Sequence, residues 1–262
     1  MNLLKAEFMK LAYQRRTWGL LAAAIFLAVL ATAFSPYAIE RAKTSMFMNL
    51  SSSDVVDGVY AKALGAYIIA MILGIVIMSS EFHHHTAIAT FLAAPKRSRV
   101  LAAKIATAAI WGAGFNLVAT GIGMGTGAYA LTLFSNAAAP HSYIFVNYLL
   151  AAVLIGAVCA VMGVGIGTLI RNQNAAVSVG LVWFLVVDRI LAVIWTEIGK
   201  YLPSGLITAT MALHLNVKDK TSGLGINTKD YLEPLPAAGF LLAYALVFAA
   251  VSIATTLRRD ID

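Results

Sequence analysis

The sequence predicts an all-α integral membrane protein that crosses the bilayer six times. The first observation is that charge-free apolar stretches recur along the chain, separated by short charged segments. A bilayer core about 30 Å thick is crossed by about 20 helical residues, and these stretches have about that length. The second observation is the composition, which is 60% hydrophobic and 12% charged with a mean hydropathy of +0.82. Because soluble domains carry about 25% charged residues, the composition excludes a soluble domain of this size.

The third observation is the distribution of charge. With a cytoplasmic N-terminus, the inside segments carry eleven Lys or Arg and four acids, whereas the outside segments carry seven basic and seven acidic residues. This excess follows the positive-inside rule, so we expect both termini in the cytoplasm. The net charge of +7 is then a signal of topology, and nucleic acid is not an expected partner.

We predict a single membrane domain over residues 1–262. The one cysteine, Cys159, lies in the fourth span and allows no disulfide within the chain. The predicted spans are residues 17–35, 63–80, 105–133, 144–170, 172–196 and 235–257.

Before the first span, residues 1–16 place Leu4 and Phe8 at helical spacing among basic residues. This pattern predicts an amphipathic helix in the headgroup plane, where Arg15 and Arg16 anchor the chain to the membrane surface. A basic start that merely sets the topology explains the pattern equally well.

The most concentrated polar segment lies between the second and third spans. The stretch 86–95 within it is mostly apolar and too short to cross, so we predict a short helix at the membrane surface that docks into a groove of a soluble partner. The chain here runs Glu81-Phe82-His83-His84-His85-Thr86, continues through Phe91 to Pro95, and then carries Arg97, Arg99 and Lys104.

Two connections are predicted on the outer side. Residues 135–142, with Pro140 and His141, form a short one. Residues 197–234 form the longest polar segment, whose part 206–215 is apolar but too short to cross and therefore predicts a re-entrant or interfacial piece.

Glycines crowd the third and fourth spans. Three pairs have the small-xxx-small spacing that lets helix backbones approach closely, namely Gly121/Gly125, Gly123/Gly127 and Gly163/Gly167. We therefore expect close helix packing at these positions.

Polar residues interrupt two spans and are candidates for a translocation path. Asp188 and Arg189 lie in the outer part of the fifth span, and as neighbours in a helix they need separate partners. An outer gate and a stabilising contact are equally open interpretations. For Asn116 in the third span, a hydrogen bond between helices is the default expectation.

The polar segment from Glu81 to Lys104 resembles the same region in the permease subunits of ATP-binding-cassette transporters of the type-2 exporter class. That family carries an acidic–aromatic–basic–x–Gly–Thr run after the second span, then a coupling helix, a Pro, basic residues and an Ala-Lys pair. The matching residues are Glu81, Phe82, Thr86, Pro95, Arg97, Arg99, Ala103 and Lys104, together with Glu7-x-x-Lys10 and Leu202-Pro203-Ser204-Gly205. His83 and His85 stand where the family often has Arg and Gly.

The resemblance implies a permease in a bacterial plasma membrane that pairs with a second permease copy and with separate ATPase subunits. ATP and Mg²⁺ would be bound by the ATPase, and the chain itself would need no cofactor. The segment from Glu81 to Pro95 would contact the ATPase, and Arg97, Arg99 and Lys104 would bind anionic lipid headgroups. Export is the implied direction, and the cargo is not specified by any residue.

No phosphate-binding loop, nucleophile elbow or H-E-x-x-H motif occurs in the sequence, so we do not expect an enzyme. Two alternatives stay open. An ion-coupled secondary transporter would use ionisable residues in the membrane, where only Asp188 and Arg189 come close. A membrane-embedded metal enzyme would use Glu81 with the histidine run 83–85, although adjacent helical residues point about 100° apart.

Overall fold

The computed structural model describes residues 3–46, 50–83, 97–170, 172–211 and 232–258. In these ranges the chain forms helices joined by short connections, and six helical stretches are long and apolar enough to cross a membrane. The prediction of an all-α integral membrane protein with six spans is therefore confirmed.

The first half of the chain contains an N-terminal helix and three spans. These are α1 (Leu3–Tyr13), α2 (Arg15–Met46), α3 (Ser53–Ala61) continued through a 3₁₀ turn (Lys62–Ala66) into α4 (Tyr67–His83), and α5 (Arg97–Thr132). The second half contains α6 (Ile144–Leu169), α7 (Gln173–Val182) continued through a π-helical segment (Trp183–Val187) into α8 (Asp188–Ile194), two short helices α9 (Thr196–Gly199) and α10 (Pro203–Met211), and α11 (Pro234–Arg258).

The first two spans extend well beyond their predicted ends on the far side from α1. The sequence predicts an outside loop over residues 36–62, whereas α2 continues through Pro36 to Met46 and α3 is helical and largely buried. A proline inside a helix removes one backbone hydrogen bond, but membrane helices tolerate this where neighbours compensate. Here Lys62 Nζ donates to Ser35 Oγ over 2.6 Å, which joins the two extended spans beside the proline.

The fifth span begins immediately after α6, and a side chain sets this tight turn. Asn172 precedes α7, and its side-chain oxygen accepts hydrogen bonds from the backbone N–H groups of Asn174 (3.0 Å) and Ala175 (3.3 Å). These two donors have no partner inside the helix, so the cap stabilises the start of the span.

Glycines place α6 in close contact with α4 and α5. A Cβ added at Gly163 would lie 2.1 Å from the carbonyl oxygen of Met71, and one added at Gly74 would lie 1.9 Å from that of Ala160. Gly112 and Gly156 approach each other in the same way between α5 and α6. Only a residue without a side chain permits such backbone contact.

The packing prediction holds for two of the three glycine pairs. Gly163/Gly167 contacts α4, and Gly123/Gly127 contacts α2 and the second span. Nothing lies within 4 Å of a Cβ built at Gly121 or Gly125, so that pair packs against no described residue of this chain.

The bundle therefore has a centre and a periphery. The second span and α6 are mostly buried, whereas α2, α7–α8 and α11 expose most of their apolar surface. Phe26, Leu185 and Leu246 are examples of large exposed apolar side chains on these helices. Such surface suits contact with lipid or with another membrane subunit.

Candidate functional site

The near end of the bundle, where α1 lies and α5 begins, contains an ion pair. Lys104 Nζ donates to Glu7 Oε2 over 2.8 Å, with side-chain exposures of 1% and 13%. The ring of Phe8 packs on Trp111 at a centroid distance of 5.1 Å, and Trp18 meets the same indole edge-on. Polar and aromatic contacts together hold α1 against the lower part of α5.

The position of Lys104 differs from the expectation. The family resemblance implies that this residue binds lipid headgroups, but the structure buries it against Glu7, because its apolar stem lies between helices and its ammonium pairs with the carboxylate there. Arg15, Arg16 and Arg99 are exposed, as a surface anchor requires. The side chain of Arg97 is outside the described part.

The predicted coupling segment lies mostly outside the described residues. α4 continues through Glu81 and Phe82 to His83, and α5 begins at Arg97, so the two helices flank the segment on the near end. The remaining candidate coupling residues, His84, His85, Thr86, Phe91 and Pro95, fall in the range 84–96 that is not described.

Asp188 is fully buried in the fifth span, and its carboxylate caps another helix. Its Oδ2 accepts a hydrogen bond of 2.9 Å from the backbone N–H of Ser204 in the first turn of α10. Among the described residues Oδ1 has no hydrogen-bond partner. The π-helical segment Trp183–Val187 ends directly before Asp188, and such segments often occur at functional positions.

Three residues of the motif Leu202-Pro203-Ser204-Gly205 have an identifiable physical role in this contact. Pro203 starts α10, where its missing N–H costs nothing. Ser204 presents its N–H to Asp188, since Leu202 offers no side-chain acceptor for capping. A Cβ at Gly205 would lie 2.1 Å from the carbonyl oxygen of Gly199, so glycine permits the short approach of α9.

Arg189 and Asp188 have separate partners, as their adjacent positions predict. The exposed Arg189 interacts with the side chain of Tyr67 on α4, whereas Asp188 turns toward α10. The charged pair therefore connects the fifth span to two different elements. Sequence reasoning missed Ser204 as a partner, although the motif that contains it was noted.

Asn116 is buried and joins α5 to α6. Its side-chain Nδ2 donates to the backbone carbonyl of Ala152 over 3.0 Å. This agrees with the default expectation of a hydrogen bond between helices, at the level where Gly112 and Gly156 bring the backbones together.

An apolar cavity of about 210 Å³ lies between α6, the fifth span, α10 and α11. Its wall includes Trp183 and Phe184 from the π-helical segment, Tyr244 and Phe248 from α11, and Pro203. A cavity with such a lining suits an apolar group rather than a charged one.

One group of side chains that could hold a metal ion lies at the far end of the bundle, where α5 ends and α6 begins. Asp54, Asp57 and His141 place one ligand atom each within 4.8 Å of one another. In the sequence, the pattern that suggests a metal site is the histidine run 83–85, whose side chains are outside the described part.

Comparison with known proteins gives a match to one protein family. A family model described as ABC-2 family transporter protein matches residues 3–189, from α1 into α8. No individual curated protein matches the chain. Members of this family are membrane components of transporters, are not themselves catalytic and partner with ATP-binding subunits. With six spans and a match over most of its length, the chain belongs to the ABC-2 transporter family and is a multi-pass permease subunit of an ABC transporter.

Proposed function

We propose that the chain is the permease of an ATP-driven exporter and couples to a separate ATPase subunit. The observation that carries this proposal is the Glu7–Lys104 ion pair, which joins α1 to α5 at the end that also contains the predicted coupling segment. In this family, force from an ATPase has to enter the membrane domain through such an end. A helix fastened there moves with the segment that receives the force.

Segment 86–95 is the proposed contact with the ATPase. It follows α4 and precedes α5, so a displacement of the segment acts on two membrane helices at once. Because Lys104 of α5 is paired with Glu7, α1 follows the base of α5. Glu81 and Phe82 at the end of α4 are the proposed ATPase-facing residues at the first edge of this contact.

Lipid headgroups are the proposed partners of the basic residues at this end. Arg15, Arg16 and Arg99 are exposed there, and each Lys or Arg near an anionic membrane surface contributes about 1 kcal/mol of attraction. This assignment goes with both termini in the cytoplasm and with a bacterial plasma membrane. ATP and Mg²⁺ belong to the partner ATPase in this proposal.

The translocation path is proposed to lie between this chain and a second permease copy. The buried backbone contacts of α6 leave little room for a path through the middle of one chain, whereas α2 and the fifth span expose broad surfaces. Arg189 lies on such an exposed surface, and the buried Asp188 lies directly behind it. We assign Asn116 to packing within the subunit.

The test is coexpression of the tagged chain with the ATPase encoded beside it, followed by reconstitution into vesicles. We expect the ATPase to copurify and to hydrolyse ATP. Glu81→Ala should lower ATPase retention at least about tenfold, because losing one hydrogen bond of a charged group weakens binding by about 1.5–3 kcal/mol. The purified Glu81→Ala permease should keep the elution profile and the thermal unfolding temperature of the unchanged chain.

Glu197→Ala is the matched control, since Glu197 is an exposed acid at the opposite end of the bundle. It should retain the ATPase like the unchanged chain. The proposed contact would be contradicted if the ATPase failed to copurify, or if Glu81→Ala retained as much ATPase as the unchanged chain. Transport that follows an ion gradient without ATP would favour the ion-coupled secondary transporter instead.

A further inference from the structure

Three metal-ligating side chains from two distant parts of the chain converge at the far end of the bundle. Asp54 and Asp57 lie three residues apart on α3 and therefore share one helical face. His141 belongs to the connection between α5 and α6. One ligand atom from each residue lies within 4.8 Å of the other two.

Backbone and side-chain hydrogen bonds hold this connection against α3. The backbone N–H of His141 donates to Asp57 Oδ1 over 3.2 Å, and the imidazole Nδ1 lies 2.7 Å from Asp57 Oδ2. The Tyr148 hydroxyl donates to the Asp57 carbonyl over 3.1 Å, and the Ala138 N–H donates to the Leu50 carbonyl over 2.8 Å. These bonds fix the position of Asp57 and hold the backbone of His141 beside it.

The charge of the cluster favours a cation. The side chain of Asp57 is only 1% exposed, and its hydrogen bond to His141 is the main cause that raises the pKa of the imidazole, with smaller contributions from the charges of Asp57 and Asp54. Two carboxylates around one imidazole leave an excess of negative charge. That excess attracts either a proton on His141 or a metal ion in its place.

We infer that Asp54, Asp57 and His141 form a binding site for a divalent transition-metal ion of the class represented by Zn²⁺. Imidazole nitrogen with carboxylate oxygen is a donor set that Zn²⁺ accepts, whereas Ca²⁺ and Mg²⁺ prefer oxygen alone. Ligand atoms of Zn²⁺ stand about 2.0–2.2 Å from the ion. Binding at that distance requires the partly exposed side chains of Asp54 and His141 to rotate, and it requires water to complete the coordination.

A bound ion changes what the cluster does in the fold. It ties α3 to the connection between α5 and α6 through coordination bonds, which replace the hydrogen bond between the imidazole Nδ1 and Asp57 and leave the backbone hydrogen bond of His141 in place. Because Nδ1 of His141 binds a metal only without its proton, binding releases a proton from the protonated imidazole.

The test is Zn²⁺ binding to the full-length chain in detergent micelles, purified through a tag without histidines. The histidine run is first removed by His83→Gln, His84→Gln and His85→Gln, since it offers competing ligands. Metal analysis after equilibrium dialysis should then find one Zn²⁺ per chain, and titration calorimetry should give the affinity. We expect His141→Gln and Asp54→Asn each to lower this affinity at least about tenfold. Zn²⁺ should raise the unfolding temperature only of the protein that keeps all three ligands.

Glu197→Gln is the control, because it removes an exposed acid at the same end without touching the cluster. Its affinity should be unchanged. Absence of stoichiometric Zn²⁺ after removal of the histidine run would overturn the inference. It would also be overturned if His141→Gln and Asp54→Asn bound Zn²⁺ with the affinity of the protein whose site is unchanged. Ca²⁺ binding that is stronger than Zn²⁺ binding would overturn the assigned metal class.

Discussion

The Lys104 ammonium lies 2.8 Å from the Glu7 carboxylate, and 97 residues separate the two in the chain. The pair joins a helix that precedes the first span to the base of the third span. Both residues belong to segments that resemble motifs of the permease family, and the structure brings these segments into direct contact. Replacing both members of a buried ion pair by apolar residues is often neutral for stability, whereas removing one member is costly.

Breaking this pair should destabilise the protein more than removing an exposed charge. We expect Lys104→Met to lower the free energy of unfolding by about 3 kcal/mol, because the Glu7 carboxylate keeps only partial access to water. The double variant Glu7→Leu with Lys104→Met should recover most of this loss. Thermal unfolding followed by tryptophan fluorescence measures the effect, and Lys5→Met on the exposed surface of α1 is the control. Additive losses in the double variant would contradict the pairing.

A methyl group at the helix contact should be poorly tolerated. Gly163→Ala would place a Cβ 2.1 Å from the Met71 carbonyl oxygen, so α4 and α6 would have to move apart. We expect a loss of at least about 1–3 kcal/mol and a lower yield of monodisperse protein in gel filtration. In Gly114→Ala the added Cβ meets no described residue within 4 Å, so yield and unfolding temperature should be unchanged or slightly higher. Equal behaviour of the two variants would argue against the contact.

The hydrogen bond between Asp188 and Ser204 should be retained by an amide and lost with an apolar residue. Asp188→Asn keeps an acceptor for the Ser204 N–H, whereas Asp188→Leu leaves that buried donor unpaired at a cost of about 1–3 kcal/mol. We therefore expect the unfolding temperature to fall clearly only in Asp188→Leu. Transport by Asp188→Asn then reports on the carboxylate charge separately from the fold. Equal stability of both variants would show that the cap contributes little.

The far-end contact of His141 should weaken as the pH rises. Asp57 raises the pKa of this imidazole in the folded protein, so the contact contributes fully below the unfolded value of about 6.5 and is lost as pH passes through the raised folded value. In buffer with a metal chelator, the difference in unfolding temperature between the unchanged chain and His141→Gln should shrink from low to high pH. A difference that is constant with pH would refute a protonated imidazole in this contact.

Much of the fold follows from the sequence because membrane-spanning length is a local property. Each apolar run between charged residues corresponds to one span, and the run before Arg15 forms the expected short helix α1. The ends on the far side were predicted less well. Proline normally marks a helix boundary, yet α2 passes through Pro36, beside the hydrogen bond from Lys62 of the second span to Ser35.

The contacts between helices could not be predicted in the same way. A helix that is apolar on every side has no polar face to indicate its orientation, so the three glycine pairs looked equivalent. The structure uses Gly163/Gly167, whereas no described residue lies against Gly121 or Gly125. Likewise Asp188 and Ser204 were both noted, but their distance in space depends on how α10 folds back, which no local pattern encodes.

The contact across Gly74 and Gly163 limits how this protein can change shape. Carbonyl oxygens there rest against the opposite backbone, so neither helix can slide or roll past the other without a steric clash. Helices α4 and α6 should therefore move together as one rigid unit. A change from inward-facing to outward-facing access would then require movement at the interfaces of the peripheral helices α2, α7–α8 and α11, which are less buried.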